Sequence, residues 1–515
     1  MFSTREAEKN VMQVNSKRIV ANTFFLYGKT LITIIISFVS TRLVLEGLGT
    51  SDFGIYGTVG GAIIMLESLN EAMSQATQRY MSYAEGKREK NHLISIFNNT
   101  VLLHIGLGLV IVLLLLSLYY PFFNGVFNIP IDRVDSAKYI YLFLVVSAFF
   151  TIITVPYDAV ITAHENFLYY SIVGIIMALL KLGAAFWVVY YSNDRLILYG
   201  LLMAVLAIIN LTIMRIYCRV KYAECILAPR KYAEANTMKE IGIFAGWNFI
   251  GAMSSMAGNH GSTILMNHFF GPILIAAKSI GDQICTQVAV LTYNMTKALN
   301  PVVVKSEGNG DRQTMIRLSY ISCRFSFLLY LVLAIPFMLN TKPLLTVWLK
   351  EIPEWAVLFC QLQVTRTLFE QFFTPLRMSL MAQGSVKQMN LADLLLSVFT
   401  FLSLWLLYEM GFSAQWHYYI SILLLVFVSG TIKIMLCRKK CGMRLYDYFI
   451  SVIFQCLLVM IVAGVVSYLI QVMCKNIHVV VVVCIQIVLL FVIEAILGVS
   501  KQERQLVLSK IKSYI

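Results

Sequence analysis

Charge is scarce in this 515-residue chain: 13% of its residues are Asp, Glu, Lys or Arg, against about 25% in an ordinary soluble domain. Acid is the scarcer sign, with 27 Asp plus Glu facing 41 Lys plus Arg. Paired cysteines are missing as well. No Cys-x-x-Cys occurs among the ten Cys, and the closest two, Cys437 and Cys441, lack the second ligand pair of a zinc site. The absence of a G-x-x-x-x-G-K-[ST] loop excludes direct drive by ATP, and the absence of H-E-x-x-H and G-x-S-x-G excludes the common hydrolases. There is no basic, aromatic-interleaved domain to bind nucleic acid. Nor is there a large outer loop, as an enzyme that joins or polymerises sugars would need; Asp132, Asp135, Glu351 and Glu354 are the few acids such an enzyme would draw on. The chain reads as a non-enzyme without a resident cofactor.

What is abundant is apolar surface. At 59% apolar, about 304 residues could supply roughly 14 or 15 membrane crossings. Apolar stretches near 20–45, 54–81, 95–119, 138–162, 168–191, 196–217, 241–266, 272–300, 318–340, 355–380, 388–409, 415–437, 447–471 and 477–499 predict fourteen spans. Basic residues test that number. With the N-terminus in the cytoplasm, Arg5 and Lys9, Lys87 and Arg88, Arg230 and Lys231, Lys305 and Arg312, Lys439 and Lys440, and Lys510 and Lys512 all fall on one side. This positive-inside bias requires an even span number and puts both ends in the cytoplasm of a bacterial inner membrane. The expected organisation is an all-α polytopic membrane protein. Residues 1–19 form a cytoplasmic segment, 20–217 one six-helix bundle and 218–240 a cytoplasmic linker. Residues 241–437 form a second six-helix bundle, 438–499 two more spans, and 500–515 an amphipathic tail on the membrane surface.

An internal repeat supports the division. A shift of 222 superposes Ser40-Thr41 on Ser262-Thr263, Gly49 on Gly271, Met73 on Met295, Ala76 on Ala298 and Glu85-Gly86 on Glu307-Gly308. Six spans separate the copies, so both have the same orientation. Transporters built from parallel halves hold substrate between them.

Polar residues in the spans fall in stripes. Asn22, Lys29, Thr33 and Ser40 share one helical face, and so do Glu67, Asn70, Glu71, Ser74 and Gln78. Asn248, Ser255, Asn259 and Ser262 follow in span seven, Lys278, Asp282 and Thr286 in span eight, Gln363, Arg366, Glu370, Thr374 and Arg377 in span ten, and Asn390, Asp393 and Ser397 in span eleven. Ser, Thr and Asn commonly join membrane helices to one another. A charged residue at a span centre costs about 2.5–3.5 kcal/mol, so Lys29, Lys181, Lys278, Arg324 and Arg366 must meet water, a partner or a ligand. Lys278 with Asp282 and Arg366 with Glu370 are each one turn apart and can neutralise themselves. Lys29 and Lys181 have no such acid. Arg42 either joins them or reaches the outer interface. Asp158, just after Pro156, is either a packing kink or a proton relay.

The block Thr41-Arg42-Leu43 through Leu48-Gly49-Thr50-Ser51-Asp52-Phe53-Gly54-Ile55-Tyr56, followed by Ala76-Thr77-Gln78-Arg79-Tyr80, resembles polysaccharide repeat-unit flippases. That group includes the O-antigen and capsule flippases of the multidrug/oligosaccharidyl-lipid/polysaccharide exporter superfamily. The resemblance implies two bundles around a cationic cavity that moves an undecaprenyl-diphosphate-linked oligosaccharide from the cytoplasmic to the periplasmic leaflet, alongside polysaccharide polymerase machinery. Lys29, Arg42, Lys181, Lys278, Arg324 and Arg366, with Glu67, Asn70, Glu71, Ser255 and Asn259, would line that cavity. It also implies a coupling ion, sodium or proton, for which Asn248, Asp282, Asn390, Asp393 and Asp158 are candidates; Asn248, Asn390 and Asp393 look similar to a sodium site. The alternative is a cation-coupled multidrug exporter of the same superfamily.

Overall fold

The structure is a computed structural model that describes residues 2–64, 67–126, 129–256, 258, 261–270, 272–348, 352–474 and 477–498. The proposed amphipathic tail and Asn259 lie outside them.

Helices occupy nearly all of the described chain. The first eight are α1 (Phe2–Ile64), α2 (Glu67–Lys87), α3 (Lys90–Pro121), α4 (Val134–Ala163), α5 (Phe167–Tyr190), α6 (Arg195–Lys221), α7 (Pro229–Tyr232) and α8 (Ala235–Met256). They are followed by α9 (Ser262–Phe270), α10 (Pro272–Gly308), α11 (Arg312–Leu339), α12 (Thr341–Trp348), α13 (Ala356–Glu370) and α14 (Leu376–Ala382). The last six are α15 (Val386–Glu409), α16 (Trp416–Ser421), α17 (Ser429–Cys441), α18 (Leu445–Tyr448), α19 (Gln455–Met473) and α20 (Val479–Ile493). π-Helical turns at Ile422–Val428 and Phe449–Phe454 join α16 to α17 and α18 to α19. In lipid, every backbone polar group must find its partner inside the segment, which is why so apolar a chain is helical throughout.

Among the described residues, ten helices are long and apolar enough to cross a membrane. The four other expected spans, 54–81, 241–266, 272–300 and 355–380, are not among those ten. The first two cross residues outside the described ones; the third falls on α10 with its Lys278 and Asp282, and the fourth on α13 and α14, which a non-helical stretch at 371–375 separates.

The chain forms two compact units, residues 20–252 and residues 253–515 with 1–19. The boundary lies inside α8, beyond the expected linker. That linker is itself ordered within the N-terminal unit. Asn98 donates to the Ile226 carbonyl (2.8 Å) and accepts from the Ala228 amide (2.9 Å), while Asn99 accepts from the Glu234 amide (3.2 Å). Tyr141, Ile140, Leu196 and Ala184 sit in the core of the N-terminal unit, and Phe359, Cys360, Tyr418 and Leu404 in that of the C-terminal unit.

The internal repeat is visible in local geometry. The Cys218 thiol meets the Tyr157 carbonyl (3.6 Å) one residue after Pro156, and the Cys437 thiol meets the Leu376 carbonyl (3.8 Å) one residue after Pro375. Each residue lies 219 positions from its counterpart. The same shift carries the left-handed Glu165 onto the left-handed Gly384, and the start of α5 onto the start of α15. Arg88 and Gly310, both with positive φ, keep the shift of 222 seen in the earlier sequence.

Candidate functional site

In the N-terminal unit the hydroxyls of the α1 stripe are satisfied by their own helix. Thr30 donates to the Leu26 carbonyl (2.8 Å), Thr33 to that of Thr30 (3.0 Å) and Ser40 to that of Ile36 (2.8 Å). Lys29 behaves differently. Its side chain leaves α1 and lies across α5, with Nζ 4.0 Å from the centroid of the Tyr170 ring, a cation–π geometry. Gly174 makes the space: a Cβ there would fall 2.3 Å from Lys29 Cε. Lys181 follows Gly174 by seven residues, two turns and about 10 Å along the same face of α5, and is exposed. The structure therefore places Lys29 and Lys181, neither of which has an acid within one turn on its own helix, along one side of α5. Arg42 is exposed in the last turns of the first span, which ends at the break of α1 at Gly49 (φ 78°).

Other predicted members are dispersed. Asp158 is half-buried two residues after Pro156, and its carbonyl accepts from the Thr162 hydroxyl (2.9 Å). Asn248 is buried in the N-terminal unit. For Glu67, Asn70 and Glu71 on α2 and Ser255 on α8, the description covers the backbone alone.

Two clusters missed by the sequence reading brace this unit at its ends. At one, Arg133 binds Asp52 of the Leu48–Tyr56 block and reaches Asp194 Oδ2 (3.1 Å), while Ser136 donates to the same Asp194 oxygen (2.6 Å). Asp194 also caps α6 through the Leu196 and Ile197 amides. Burial raises its carboxyl, but the Ser136, backbone and Arg133 contacts outweigh this and hold it below the usual range. At the other end, His164 in the turn between α4 and α5 lies between Glu85 Oε1 (3.1 Å from Nδ1) and Glu224, which binds Nε2. Burial pulls the imidazole down, yet the two carboxylates prevail and raise it to about 9. Tyr222 stacks on the ring at 4.3 Å. No sequence spacing joins 85, 164 and 224; only the packed bundle does.

In the C-terminal unit, α10 presents Ser279, Gln283, Thr286 and Gln287 outward, with Asp282 partly exposed beside them. So polar an exposed face is suited to water rather than lipid. Lys278 is buried one turn away and donates to Asp282 Oδ2 (2.6 Å). The lysine expected to be a cavity cation thus already has a carboxylate partner on its own helix. Arg366 has the opposite outcome. It makes no ion pair with Glu370 among the described residues, and its Nε is buried without an acceptor there.

Arg324 turns toward the last two spans. It is 7% exposed, its Nη1 donates to Gln455 (3.3 Å) at the start of α19, and Gln455 bonds in turn to the Leu497 carbonyl (3.1 Å). The buried amide of Gln486 on α20 likewise accepts from Asn340 (3.0 Å) after α11. These polar contacts join α11 to the last two spans, a packing role that sequence position could not separate from ligand binding.

The expected sodium set does not fit a sodium ion. Asn390 Oδ1 accepts from Arg377 (3.2 Å). Asp393 Oδ1 accepts from Ser429 (2.7 Å) and lies 3.6 Å from Lys433 Nζ. A sodium ion needs those oxygens free of positive partners. Among the described residues, no group of three or more His, Cys, Asp or Glu is placed to hold a metal.

Residues 249–406 match the MatE family. No curated protein matches the chain. Among solved structures, that of a MATE point mutant is 12% identical, with a TM-score of 0.73 over 83% of this chain and 96% of its own. A MOP superfamily transporter from Pyrococcus furiosus Vc1 (DSM3638), whose binding pocket is described as having reverse polarity, is 12% identical with a TM-score of 0.71 over the same shares, 83% and 96%. The Vibrio cholerae MATE transporter VcmN in its bent form is 15% identical, with a TM-score of 0.66 over 83% of this chain and 98% of its own. At these identities the likeness is one of fold: a multi-pass membrane protein with the fold of MATE transporters.

Proposed function

We propose that this chain is a MATE-type exporter of a bacterial inner membrane, with both termini cytoplasmic. It moves its substrate by opening one site first inward and then outward. The observation that carries this reading is the MatE match at 249–406 within a MATE fold. The water-suited face of α10 supports it, and the one-sided basic loops support the orientation. Asp282 is the group through which a proton would act. Its protonation withdraws the carboxylate that faces the buried Lys278 ammonium, and a buried charge stripped of its partner drives rearrangement. No step is routed through sodium.

A second reading is favoured by one specific observation, the placement of Lys29 on the face of α5 that carries Lys181 two turns further on. Two ammonium groups on one face suit a diphosphate. The substrate is then an undecaprenyl-diphosphate-linked oligosaccharide delivered to polymerase machinery, in keeping with the Leu48–Tyr56 block.

One strain set separates the readings. Drug resistance is measured in a pump-deficient host, and surface glycan in a host lacking its own flippase. Resistance conferred by the chain and lost in Asp282→Asn supports the exporter. Glycan restored by the chain and lost in Lys29→Ala with Lys181→Ala supports the flippase. Failure in both hosts, with the protein folded in the membrane, overturns both.

A further inference from the structure

Asp393, Ser429 and Asn390 supply a carboxylate, a hydroxyl and an amide oxygen from α15 and α17, the oxygen chemistry that a hard monovalent cation takes. Two are held as hydrogen-bond acceptors, Asp393 by Ser429 at 2.7 Å and Asn390 by Arg377 at 3.2 Å. The Lys433 ammonium stands 3.6 Å from the Asp393 carboxylate, with their side chains 16% and 22% exposed. The N-terminal unit does the same thing at the equivalent place. Gly174 precedes Asp393 by 219 positions, the shift that relates the two proline-thiol contacts, and it is filled by the Lys29 side chain. The lysine comes from α1 in one unit and from α17 in the other, so the shared feature is the ammonium at that position and not a repeated residue.

We infer that Lys433 is a resident cation: its ammonium occupies the place of a monovalent ion on Asp393, and the C-terminal unit of the native chain binds no sodium there. A free ion entering a few ångströms from a fixed ammonium is repelled, and the carboxylate already has its counter-charge. Removing the ammonium while keeping its apolar stem, as in Lys433→Met, leaves Asp393 and Ser429 facing each other with a negative charge uncompensated. Asp393 and Ser429 then offer a monovalent ion a carboxylate and a hydroxyl without a lysine between, while Asn390 stays with Arg377. The inference is independent of the substrate carried.

The test is thermal unfolding of the purified full chain in sodium chloride against choline chloride at equal ionic strength, which needs no transport. The native chain is expected to unfold at the same temperature in both. Lys433→Met is expected to gain a sodium-dependent rise of about 2 °C or more, and adding Asp393→Asn is expected to abolish it. A folded Lys433→Met without a sodium-dependent rise overturns the proposal. If Lys433→Met does not fold, Lys433→Gln takes its place under the same criterion. A sodium-dependent rise in the native chain that Asp393→Asn removes overturns it whatever the variants do. Because the readout is stability, a failed transport assay and a failed sodium test are told apart.

Discussion

Glu165 and Gly384 take the same left-handed conformation, at φ 57° and 84°, 219 positions apart. Each stands two residues before the helix that carries a lysine pocket, α5 with Gly174 and α15 with Asp393. The turn sets the angle at which that helix starts, so the repeat is preserved here even where residue identity is not.

Gly384→Ala places a Cβ in a conformation that costs an L-residue roughly 1–2 kcal/mol. We expect a lower unfolding temperature. Gly464→Ala on α19, where a Cβ meets nothing within 4 Å, is expected to be neutral or slightly stabilising. Equal effects from the two would contradict the assignment of strain to the turn.

Gly174→Ala brings a methyl group to within 2.3 Å of Lys29 Cε and 2.9 Å of its Nζ, which expels the ammonium from the Tyr170 ring. On the flippase reading, the expected loss of substrate affinity is about 1–2 kcal/mol, a factor of 5–30, matching that of Lys29→Ala. Combining the two substitutions should add nothing further. Additive losses in a transport titration would separate Gly174 from Lys29.

Gln455→Leu removes the acceptor of Arg324 and a donor to the Leu497 and Gly498 carbonyls. Losing buried hydrogen bonds of this kind costs about 1–3 kcal/mol. Hydrogen exchange in α19 and α20 should quicken while transport per folded molecule is retained. A substrate-affinity loss without faster exchange would return Arg324 to a binding role.

The His164 bridge makes stability depend on pH. Its imidazole is held at about 9 in the folded chain, against about 6.5 when unfolded. The contribution is therefore complete below about pH 6.5, declines as pH rises and is gone above about 9. His164→Gln should flatten the unfolding temperature over that window and leave the acid side lowest relative to the native chain. A native profile that rises between pH 6.5 and 9 through this group would reverse the assignment.

Much was legible from the chain alone. Apolar runs gave helices because a membrane leaves the backbone no other partner, and the spacing of 40–41 with 262–263 exposed the repeat. Among the described residues, ten of fourteen expected spans meet the length and apolarity of a crossing helix; of the rest, 272–300 carries the charges of α10. The lysines without an acid within one turn of their own helix were also readable, because one-turn pairing is local. Lys433 was missed for the same reason. Its acid lies on another helix, 40 positions earlier in the chain.

Sequence thus determined which side chains are costly to bury and had to find a partner. Tertiary structure decided which partner each one found. Lys278 took Asp282, Lys433 took Asp393, Arg324 turned to Gln455, and Lys29 settled on Tyr170 in the space left by Gly174. Insertion cost belongs to a residue type and its depth, whereas the compensation depends on which helices come within a few ångströms of each other.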